Sequence, residues 1–405
     1  MEKLSEELKW RGFVNQTTYD NLARLDGEPI SLYFGVDPSA DSMTIGNLAA
    51  AMLVRHFINA GHNAYLLVGG ATGMIGDPDG KADERNLKTI EEVSKNRKGI
   101  ATQYLRIFEG KEFKVVDNYD WFKDIKYLDF LREVGKYMPV SQMLSRGFIK
   151  SRLGDSGSGI SYAEFSYSLI QGFDFVYLNR KYGITLQLCG ADQWGNCITG
   201  VDLLRRIDGI EAHVLSMPLI INKATGKKFG KSEEGAVWLD SNRTSVYKFY
   251  QYWLNVDDKD VIDYAKIYTL MSWDDLEALA KKQTEDPSSR IAQKTLATYV
   301  TDLVHGVERR NSVERVTDVL FGRCEFTKLN SNDVDQLASE IPTINKGGTV
   351  VEALFKVGYA SSSGAARRLI SSGAISVNGK KISVDEVLTK LSLVKKGKNN
   401  FILVR

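Results

Sequence analysis

The sequence predicts an α/β fold with a parallel sheet, followed by an α-helical domain and a small α+β domain. Short apolar runs alternate with helical segments over the first half of the chain, which favours a parallel sheet with right-handed crossovers. Residues 245–320 have helical spacing without a convincing strand. Near the end, Asn378-Gly379 between β-prone residues predicts a hairpin.

Composition excludes several classes of protein. The 405 residues are enough for two or three domains, and the 43% hydrophobic and 26% charged content is ordinary for a soluble chain. No apolar run reaches the roughly 18 residues of a membrane span, and the acidic, amphipathic start is neither a signal nor a transit peptide. Three cysteines without a CxxC motif argue against disulfides and zinc, so we expect a cytoplasmic protein with no metal site.

The strands and helices are read from period and from turn residues. The N-terminal residues 1–29 are predicted to be helical, and residues 69–85 to form a Gly-rich loop. Ser161 and Glu164 predict a capping box at the start of a long helix. The remaining predictions for the first part are strands at 30–36, 64–69, 113–118, 184–190 and 212–220, and helices at 46–60, 90–109, 127–137, 161–179 and 194–207.

The predicted domain boundaries follow changes in composition and in the spacing of apolar residues. The polar, irregular stretch 325–345 is interpreted as a linker, and the small unit after it is expected to contain helices at 350–357 and 363–371 before the hairpin. The predicted segments are 1–241 (parallel sheet, with a basic loop at 223–235), 242–324 (helical), 325–345 (linker) and 346–405 (small α+β unit).

Charge is unevenly distributed along the chain. The overall net charge is +2, but residues 346–405 hold 11 Lys+Arg against 3 Asp+Glu, so the tail carries +8 and the rest −6. A basic tail on a mildly acidic body is typical of nucleic-acid contact, although charge alone favours a solvated surface equally.

The stretch 30–48 predicts a nucleotide site. A buried strand ends at Gly35, a polar turn follows with Asp37 and Ser39, and a helix begins at Gly46. A helix N-terminus attracts an anion, and ligands of open α/β sheets bind outside the carboxyl ends of the strands. The arrangement is therefore Rossmann-like.

Two further motifs fit the same chemistry. In Gly190-Ala191-Asp192-Gln193, after a predicted strand, Asp192 is placed to accept hydrogen bonds from ribose hydroxyls. In the segment 228–232, KFGKS, two lysines three residues apart are suited to holding a polyphosphate as charge moves. Each motif alone is weak, but the three in this order are specific.

These motifs resemble those of bacterial tyrosyl-tRNA synthetases, which are class I aminoacyl-tRNA synthetases. The resemblance covers essentially the whole chain, and its most specific pieces are YFGVDPSADS, GGATGMIGDPDGK, ISYAEFSYSLIQGFDF, GADQWGN and KFGKS. It implies ATP-dependent activation of tyrosine and transfer to tRNA(Tyr) by a homodimer, with Mg²⁺ accompanying ATP and the helix 127–137 as a candidate dimer contact.

The resemblance also implies roles for individual residues. Tyr33 and Asp174 resemble the pair that hydrogen-bonds the tyrosine phenol; phenylalanine would leave such a buried pair unpaired. Asp77, Tyr167 and Gln171 resemble the ligands of the substrate ammonium group, and the last two share one helix face with Asp174. The other implied residues are Gln187 and Gln193 in the tyrosine pocket; Gly35, Asp37, Ser39, Gly46, Gly190, Asp192 and Ser232 at ATP; and Lys81, Arg85, Lys228 and Lys231 as cations in activation.

The chain departs from the family at the nucleotide helix. Where the class has His-Ile-Gly-His, this sequence has Thr44-Ile45-Gly46-Asn47. An asparagine can still donate a hydrogen bond, but threonine is shorter and never cationic. Losing a donor aimed at transition-state charge costs about 3–4 kcal/mol in a dry site, so we expect activation to be slowed.

The tail resembles the small RNA-binding domain that these enzymes share with a ribosomal small-subunit protein. Arg367, Arg368, Lys380 and Lys381 are expected to meet tRNA phosphates. By resemblance only, the helical domain is expected to approach the anticodon.

Two alternatives stay open from the sequence. One is a related class I nucleotidyltransferase or tryptophan-specific enzyme, against which the Tyr33/Asp174 pair argues. The other is an RNA-binding paralogue without activity, which Thr44 and Asn47 suggest and the 228–232 motif opposes. Taken singly, each residue favours a structural role over a functional one: Tyr33 as a core tyrosine, and Asp174 as a surface acid or one half of a pair at a helix end.

Overall fold

The computed structural model describes residues 3–78, 88–144, 146–153, 159–223, 226, 229–232 and 235–405. The chain divides into two compact units, one formed by residues 1–244 with 252–304 and the other by residues 245–251 with 305–405. These units do not coincide with the four predicted segments, whose boundaries stay a prediction.

A six-stranded sheet forms the centre of the first unit. Five of its strands are parallel, and the short strand β1 pairs antiparallel to β6 at the edge. The prediction of a parallel α/β sheet is confirmed. The order is β1-β6-β5-β2-β3-β4, with β1 Gln16–Thr17, β2 Ser31–Val36, β3 Asn63–Val68, β4 Lys114–Asp117, β5 Ile184–Gly190 and β6 His213–Met217.

The expectation that residues 1–29 are helical is wrong for the edge strand. Gln16 pairs with Ser216, and the Thr17 hydroxyl donates to the Val214 carbonyl at 3.0 Å. β-Branched residues with hydroxyls suit a strand edge better than a helix interior, which explains the difference.

Helices cover both faces of the sheet. The predicted helices after β2 and β3 and around β5 are confirmed to within a few residues. The first unit's helices include α1 Leu4–Arg11, α2 Ile45–Asn59, α3 Gly70–Ile75, α4 Ile90–Ile107, α5 Tyr119–Phe122, α6 Tyr127–Glu133, α7 Val140–Leu144, α8 Gly147–Leu153, α9 Tyr162–Tyr182 and α10 Trp194–Asp208.

Helix α3 lies where the sequence predicted the start of a loop. Its first N–H groups are paired from outside: the Gly70 N–H donates to Asp117 Oδ1 at 3.0 Å and the Ala71 N–H to Asn118 Oδ1 at 2.7 Å. The last residue of β4 and the residue after it therefore satisfy the helix start, which local glycine content could not reveal.

Helix α9 packs closely on α10. A Cβ atom at Gly172 would lie 2.9 Å from Leu203 Cδ1 and 3.3 Å from the Gly200 backbone nitrogen, so a larger residue would push the two helices or their side chains apart. At its start the Glu164 N–H donates to Ser161 Oγ at 3.3 Å, but the Glu164 carboxylate accepts from Arg152 at 3.0 Å. The described contacts thus include only the serine half of the predicted capping box.

The predicted helical region is confirmed. A pair of short antiparallel strands lies at the end of the predicted basic loop, and helices follow it up to residue 320. These elements are β7 Lys231–Ser232, β8 Gly235–Ala236, α11 Val246–Leu254, α12 Val261–Tyr268, α13 Trp273–Glu285, α14 Ile291–His305 and α15 Val307–Leu320.

The stretch 325–345 is not irregular as expected. It contains α16 (Ser331–Glu340), which starts with a reciprocal Asn330–Asp333 capping box. Both Asp333 oxygens also accept from Arg315 at 2.7 Å. The polar residues of this stretch obscured a short apolar face, in which Val334 and Leu337 are buried and Ala338 and Ile341 pack beside them.

The rest of the second unit is α+β, as predicted. Asn378 and Gly379 form the hairpin turn with φ of 51° and 82°. A five-stranded sheet runs in the order β11-β10-β12-β13-β9. Its elements are β9 Thr343–Ile344, α17 Val350–Lys356, α18 Ser363–Ser371, β10 Ile375–Val377, β11 Lys380–Lys381, β12 Ser392–Lys396 and β13 Asn400–Val404.

Candidate active site

A cavity of about 440 Å³ opens at the carboxyl ends of β2 and β5. The parallel pairing of these strands sets Tyr33 opposite Gln187, so side chains from both strands enter one space. All seven predicted tyrosine-pocket residues line it: Tyr33, Asp77, Tyr167, Gln171, Asp174, Gln187 and Gln193. The predicted nucleotide residues Gly35, Asp37, Ser39, Thr44, Gly46, Asn47, Gly190 and Asp192 line it as well.

The deepest part of the cavity holds an unpaired phenol. Tyr33 is fully buried, its ring meets Phe175 edge-on with centroids 5.3 Å apart, and its hydroxyl has no hydrogen-bond partner among the described residues. Burial raises the pKa of Tyr33 well above its ordinary value, so the hydroxyl stays protonated. A buried hydroxyl without a partner is costly unless a ligand supplies one.

Asp174 is held by two donors that the sequence did not point to. The Asn118 side-chain amide donates to Oδ2 and the Trp121 indole N–H to Oδ1, both at 3.1 Å. Burial raises the pKa of the fully buried Asp174 carboxyl, and these two bonds oppose the rise. A signal existed: Asn118 and Trp121 directly follow β4, whose carboxyl end meets the same sheet edge.

A chain of hydrogen bonds continues from this pair towards the middle of the cavity. Asn118 Nδ2 also donates to the Thr72 hydroxyl at 3.1 Å, and that hydroxyl donates to Asp37 Oδ1 at 2.7 Å. The Tyr167 hydroxyl donates to Asp37 Oδ2 at 2.7 Å. Because its proton is committed to Asp37, the Tyr167 oxygen offers its lone pairs to a donor from the ligand.

Acceptors gather around the position predicted for an ammonium group. Asp77 is buried and accepts from the Gln193 amide, whose Oε1 accepts from Asn196 at 3.2 Å. Gln171 Oε1 is buried without a partner among the described residues. Together with the Tyr167 oxygen, these groups make a site for a cation.

The nucleotide end of the cavity is more open. Gly35, Gly46 and Asp192 are exposed. A Cβ atom at Gly190 would lie 2.7 Å from Asp192 Oδ1, so the absence of a side chain leaves room for this carboxylate.

Thr44 and Asn47 are bonded to each other at the start of α2. Asn47 Oδ1 accepts from the Thr44 backbone N–H at 2.9 Å and from the Thr44 hydroxyl at 3.0 Å. Since Oδ1 is occupied by two donors, the Nδ2 amino group is the part of Asn47 that serves as a donor elsewhere. The two positions that depart from the class motif thus form one unit.

Comparison with known proteins agrees with this geometry. Residues 25–322 match the family described as tRNA synthetases class I (W and Y), and residues 333–405 match the tyrosine–tRNA ligase SYY-like C-terminal domain. A tyrosine–tRNA ligase of Geobacillus kaustophilus is 42% identical over 99% of both chains, and one of Flavobacterium johnsoniae is 41% identical over 100% of both. The chain belongs to the tyrosine–tRNA ligase family.

The fold of this family member also matches a solved structure. A C-terminally truncated mitochondrial tyrosyl-tRNA synthetase of Aspergillus nidulans superposes with a TM-score of 0.72 at 27% identity, covering 79% of this chain and 95% of that one. The resemblance that the motifs predicted is confirmed, as is the class I fold.

Some predicted family residues fall elsewhere. Lys81, Arg85 and Lys228 lie outside the described residues, as do the side chains of Lys231 and Ser232. The four predicted RNA-binding residues are all exposed on the second unit: Arg367 and Arg368 on α18, and Lys380 and Lys381 on β11.

The described residues contain neither a metal-binding cluster nor a helix suited to span a membrane. Across the ranges that the structure covers, no group of three or more His, Cys, Asp or Glu side chains gathers as a metal site. Among the helices of those ranges, none is both long and apolar enough to span a membrane.

Proposed function

We propose that this chain is a tyrosine–tRNA ligase, which activates tyrosine with ATP and transfers the tyrosyl group to tRNA(Tyr). The observation that supports this most strongly is the convergence of a buried hydroxyl without a partner at Tyr33 and a buried, doubly bonded Asp174 at the deep end of one cavity. Family membership gives the reaction class, and the cavity gives the amino acid.

The phenol of tyrosine would bind between Tyr33 and Asp174. Its oxygen can accept from the Tyr33 hydroxyl while its proton is donated to the Asp174 carboxylate. Phenylalanine fits the same space but leaves the Tyr33 hydroxyl without a partner, at about 1–3 kcal/mol, and gives Asp174 no third donor beyond Asn118 and Trp121.

The ammonium group would lie among Asp77, Tyr167 and Gln171. Each offers an oxygen, and Asp77 adds a negative charge in a buried setting. The substrate carboxylate then faces the open nucleotide end, where Asp192 is available to the ribose.

Activation would proceed by attack of the substrate carboxylate on the α-phosphate of ATP. A carboxylate O–P bond forms, the bond between the α-phosphorus and its bridging oxygen breaks, and pyrophosphate leaves with the electron pair. Positioning and charge stabilisation account for most of the acceleration, and we assign these roles to Thr44, Gly46 and Asn47 together with Lys81, Arg85, Lys228 and Lys231. Mg²⁺ would enter with ATP, held mainly by its phosphates.

The second unit would hold tRNA through exposed cations. Arg367, Arg368, Lys380 and Lys381 are free of burial and can meet phosphates in a salt-sensitive, largely sequence-independent way.

We further infer a cytoplasmic homodimer. Tyr127, Leu128 and Tyr162 leave 59%, 75% and 62% of their surfaces exposed, and the Tyr127 hydroxyl donates to that of Tyr162 at 3.2 Å. Large exposed apolar and aromatic side chains side by side are suited to covering by a second copy.

The decisive test is ATP–pyrophosphate exchange with tyrosine, phenylalanine and tryptophan. Exchange with tyrosine alone is expected. Exchange with tryptophan would favour the tryptophan-specific alternative. Absence of exchange by folded protein that still binds tRNA would favour the RNA-binding alternative.

A further inference from the structure

Phe229 stands between the two lysines of the 228–232 motif and is buried. Its ring stacks on Tyr264 with centroids 4.0 Å apart and planes at 28°. Tyr252 and Trp253 lie at 5.3 Å and 5.6 Å, and Tyr268 at 6.0 Å. We call Tyr252, Trp253, Tyr264 and Tyr268 the aromatic clamp.

Two clamp residues also hydrogen-bond to the backbone of Gly230 and of Ile221. The Gly230 N–H donates to the Tyr252 hydroxyl at 3.1 Å, and the Tyr264 hydroxyl donates to the Ile221 carbonyl at 3.0 Å. The Phe229 N–H donates to the Ile220 carbonyl at 2.8 Å. The Phe229 ring and the backbone of Phe229 and Gly230 are therefore both held in place.

The same clamp reaches the start of the nucleotide helix. The buried Tyr268 hydroxyl donates to the Ile45 carbonyl at 3.1 Å. The Ile45 N–H donates to the Val237 carbonyl at 3.1 Å, and the Val237 N–H to the Gly230 carbonyl at 2.9 Å. These bonds join the motif at Gly230 to the Thr44–Asn47 turn through one intervening residue, Val237, which directly follows β8.

Gly230 makes this close approach possible. Its φ is +98°, and a Cβ atom there would lie 2.9 Å from Ile45 Cγ1. Any side chain would meet both a strained backbone and a collision, so glycine is what allows the motif backbone to lie this close to the start of α2.

We propose that the aromatic clamp is a positioning device for the activation step, a proposal that rests on the proposed function. It fixes the backbone of residues 229–230 against the first turn of α2, so that the chain carrying Lys231 leaves Gly230 in a defined direction relative to Thr44 and Asn47. The four clamp residues do not line the cavity, whereas Phe229 and Gly230 do, so the clamp would act through the groups that it positions.

If the clamp residues served only as core packing, their substitution would lower the stability of the protein without changing the rate of activation. The chain offers a matched pair to separate the two. Tyr252→Phe removes the hydrogen bond that the half-buried Tyr252 hydroxyl accepts from the Gly230 N–H at 3.1 Å. Tyr299→Phe removes a matching bond outside the motif, in which the half-buried Tyr299 hydroxyl accepts from the Leu270 N–H at 3.1 Å.

The experiment compares wild type, Tyr252→Phe and Tyr299→Phe in tyrosine-dependent pyrophosphate exchange and in thermal unfolding. We expect both variants to lose similar amounts of Tm. Tyr252→Phe alone should lower kcat, about three- to tenfold for one hydrogen bond, with the KM for tyrosine unchanged because the amino-acid end is untouched.

Tyr268→Phe, which removes the bond to the Ile45 carbonyl, should show the same kcat loss and provides a second variant if Tyr252→Phe misfolds. Equal kcat values in the Tyr252, Tyr268 and Tyr299 variants, with wild type active, would overturn the clamp while leaving the proposed function intact. Absence of exchange by wild type would overturn both.

Discussion

The two ends of the cavity differ in how deeply their residues are buried and in how fully they are hydrogen-bonded. At the phenol end, Asp174, Asn118 and Tyr33 are fully buried, and the carboxylate is hydrogen-bonded before any substrate binds. At the nucleotide end, Gly35, Gly46 and Asp192 are exposed. The phenol end is therefore suited to selecting one amino acid, and the nucleotide end to admitting and releasing a large anion.

The difference shows where substitutions are tolerated. A buried network fails when one member is removed, since the partners are left unpaired in a medium of low dielectric constant. An exposed site can exchange a histidine for threonine or asparagine and retain part of its effect, because water and neighbouring cations compensate. Because Thr44 and Asn47 lie at the more open end, we expect their departure from the class motif to slow activation without abolishing it.

The largest expected effect is from Asp174→Asn. The new amide can accept only one of the two bonds from Asn118 and Trp121 and cannot present a charge to the substrate phenol. Because one orphaned buried donor costs about 1–3 kcal/mol, kcat/KM for tyrosine should fall roughly 10²-fold or more.

Pyrophosphate exchange measures this, and Asp208→Asn serves as control. Asp208 pairs with a half-exposed Arg180 on the surface, and its loss should leave exchange unchanged. A fall of less than threefold in Asp174→Asn would show that the buried network does not select the substrate.

Thr44→His tests the open end. It restores a class imidazole and keeps the backbone bond to Asn47, while the hydroxyl bond is lost. We expect single-turnover adenylate formation to accelerate about tenfold, less than the ~10²–10³ typical of a donor in a dry site because this end is exposed.

Thr44→Ser keeps the hydroxyl and should leave the rate unchanged. If Thr44→His is no faster than wild type, the missing imidazole does not limit activation, and the exposed end compensates more fully than we infer.

Charge reversal on the second unit should separate tRNA binding from both ends of the cavity. Arg367→Glu/Arg368→Glu is expected to lower kcat/KM for tRNA charging about fivefold at physiological salt and to reduce its salt dependence. Exchange should be spared. Lys328→Glu/Lys390→Glu makes the same charge change at exposed sites outside the predicted contact; equal losses in both double variants would indicate a general charge effect.

Residues that face the cavity could be predicted from the sequence, whereas residues that support them could not. Tyr33, Asp174, Asp77 and Tyr167 were found because they stand in motifs. Asn118 and Trp121 were missed because they act on Asp174 rather than on substrate, and their partner is 53–56 residues away.

The same reason explains one miss in the fold. Helix α3 starts on side chains from the end of β4, which lie 47 residues away in the sequence. Local pattern identifies elements that carry an apolar run or an apolar stripe, as at β5 and α4. It does not identify elements stabilised by a polar partner distant in sequence.

The measurement that tests the account most directly is the ratio of kcat/KM for tyrosine over phenylalanine, in wild type and in Tyr33→Phe. We predict that the ratio is about tenfold lower in Tyr33→Phe than in wild type. The Tyr33 hydroxyl pairs only with tyrosine, and such a buried hydrogen bond is worth about 0.5–1.5 kcal/mol, or more when its absence leaves the ligand unpaired. Activity with phenylalanine should be unchanged or higher. An unaltered ratio, with both amino acids losing activity equally, would make Tyr33 a core tyrosine and contradict the account.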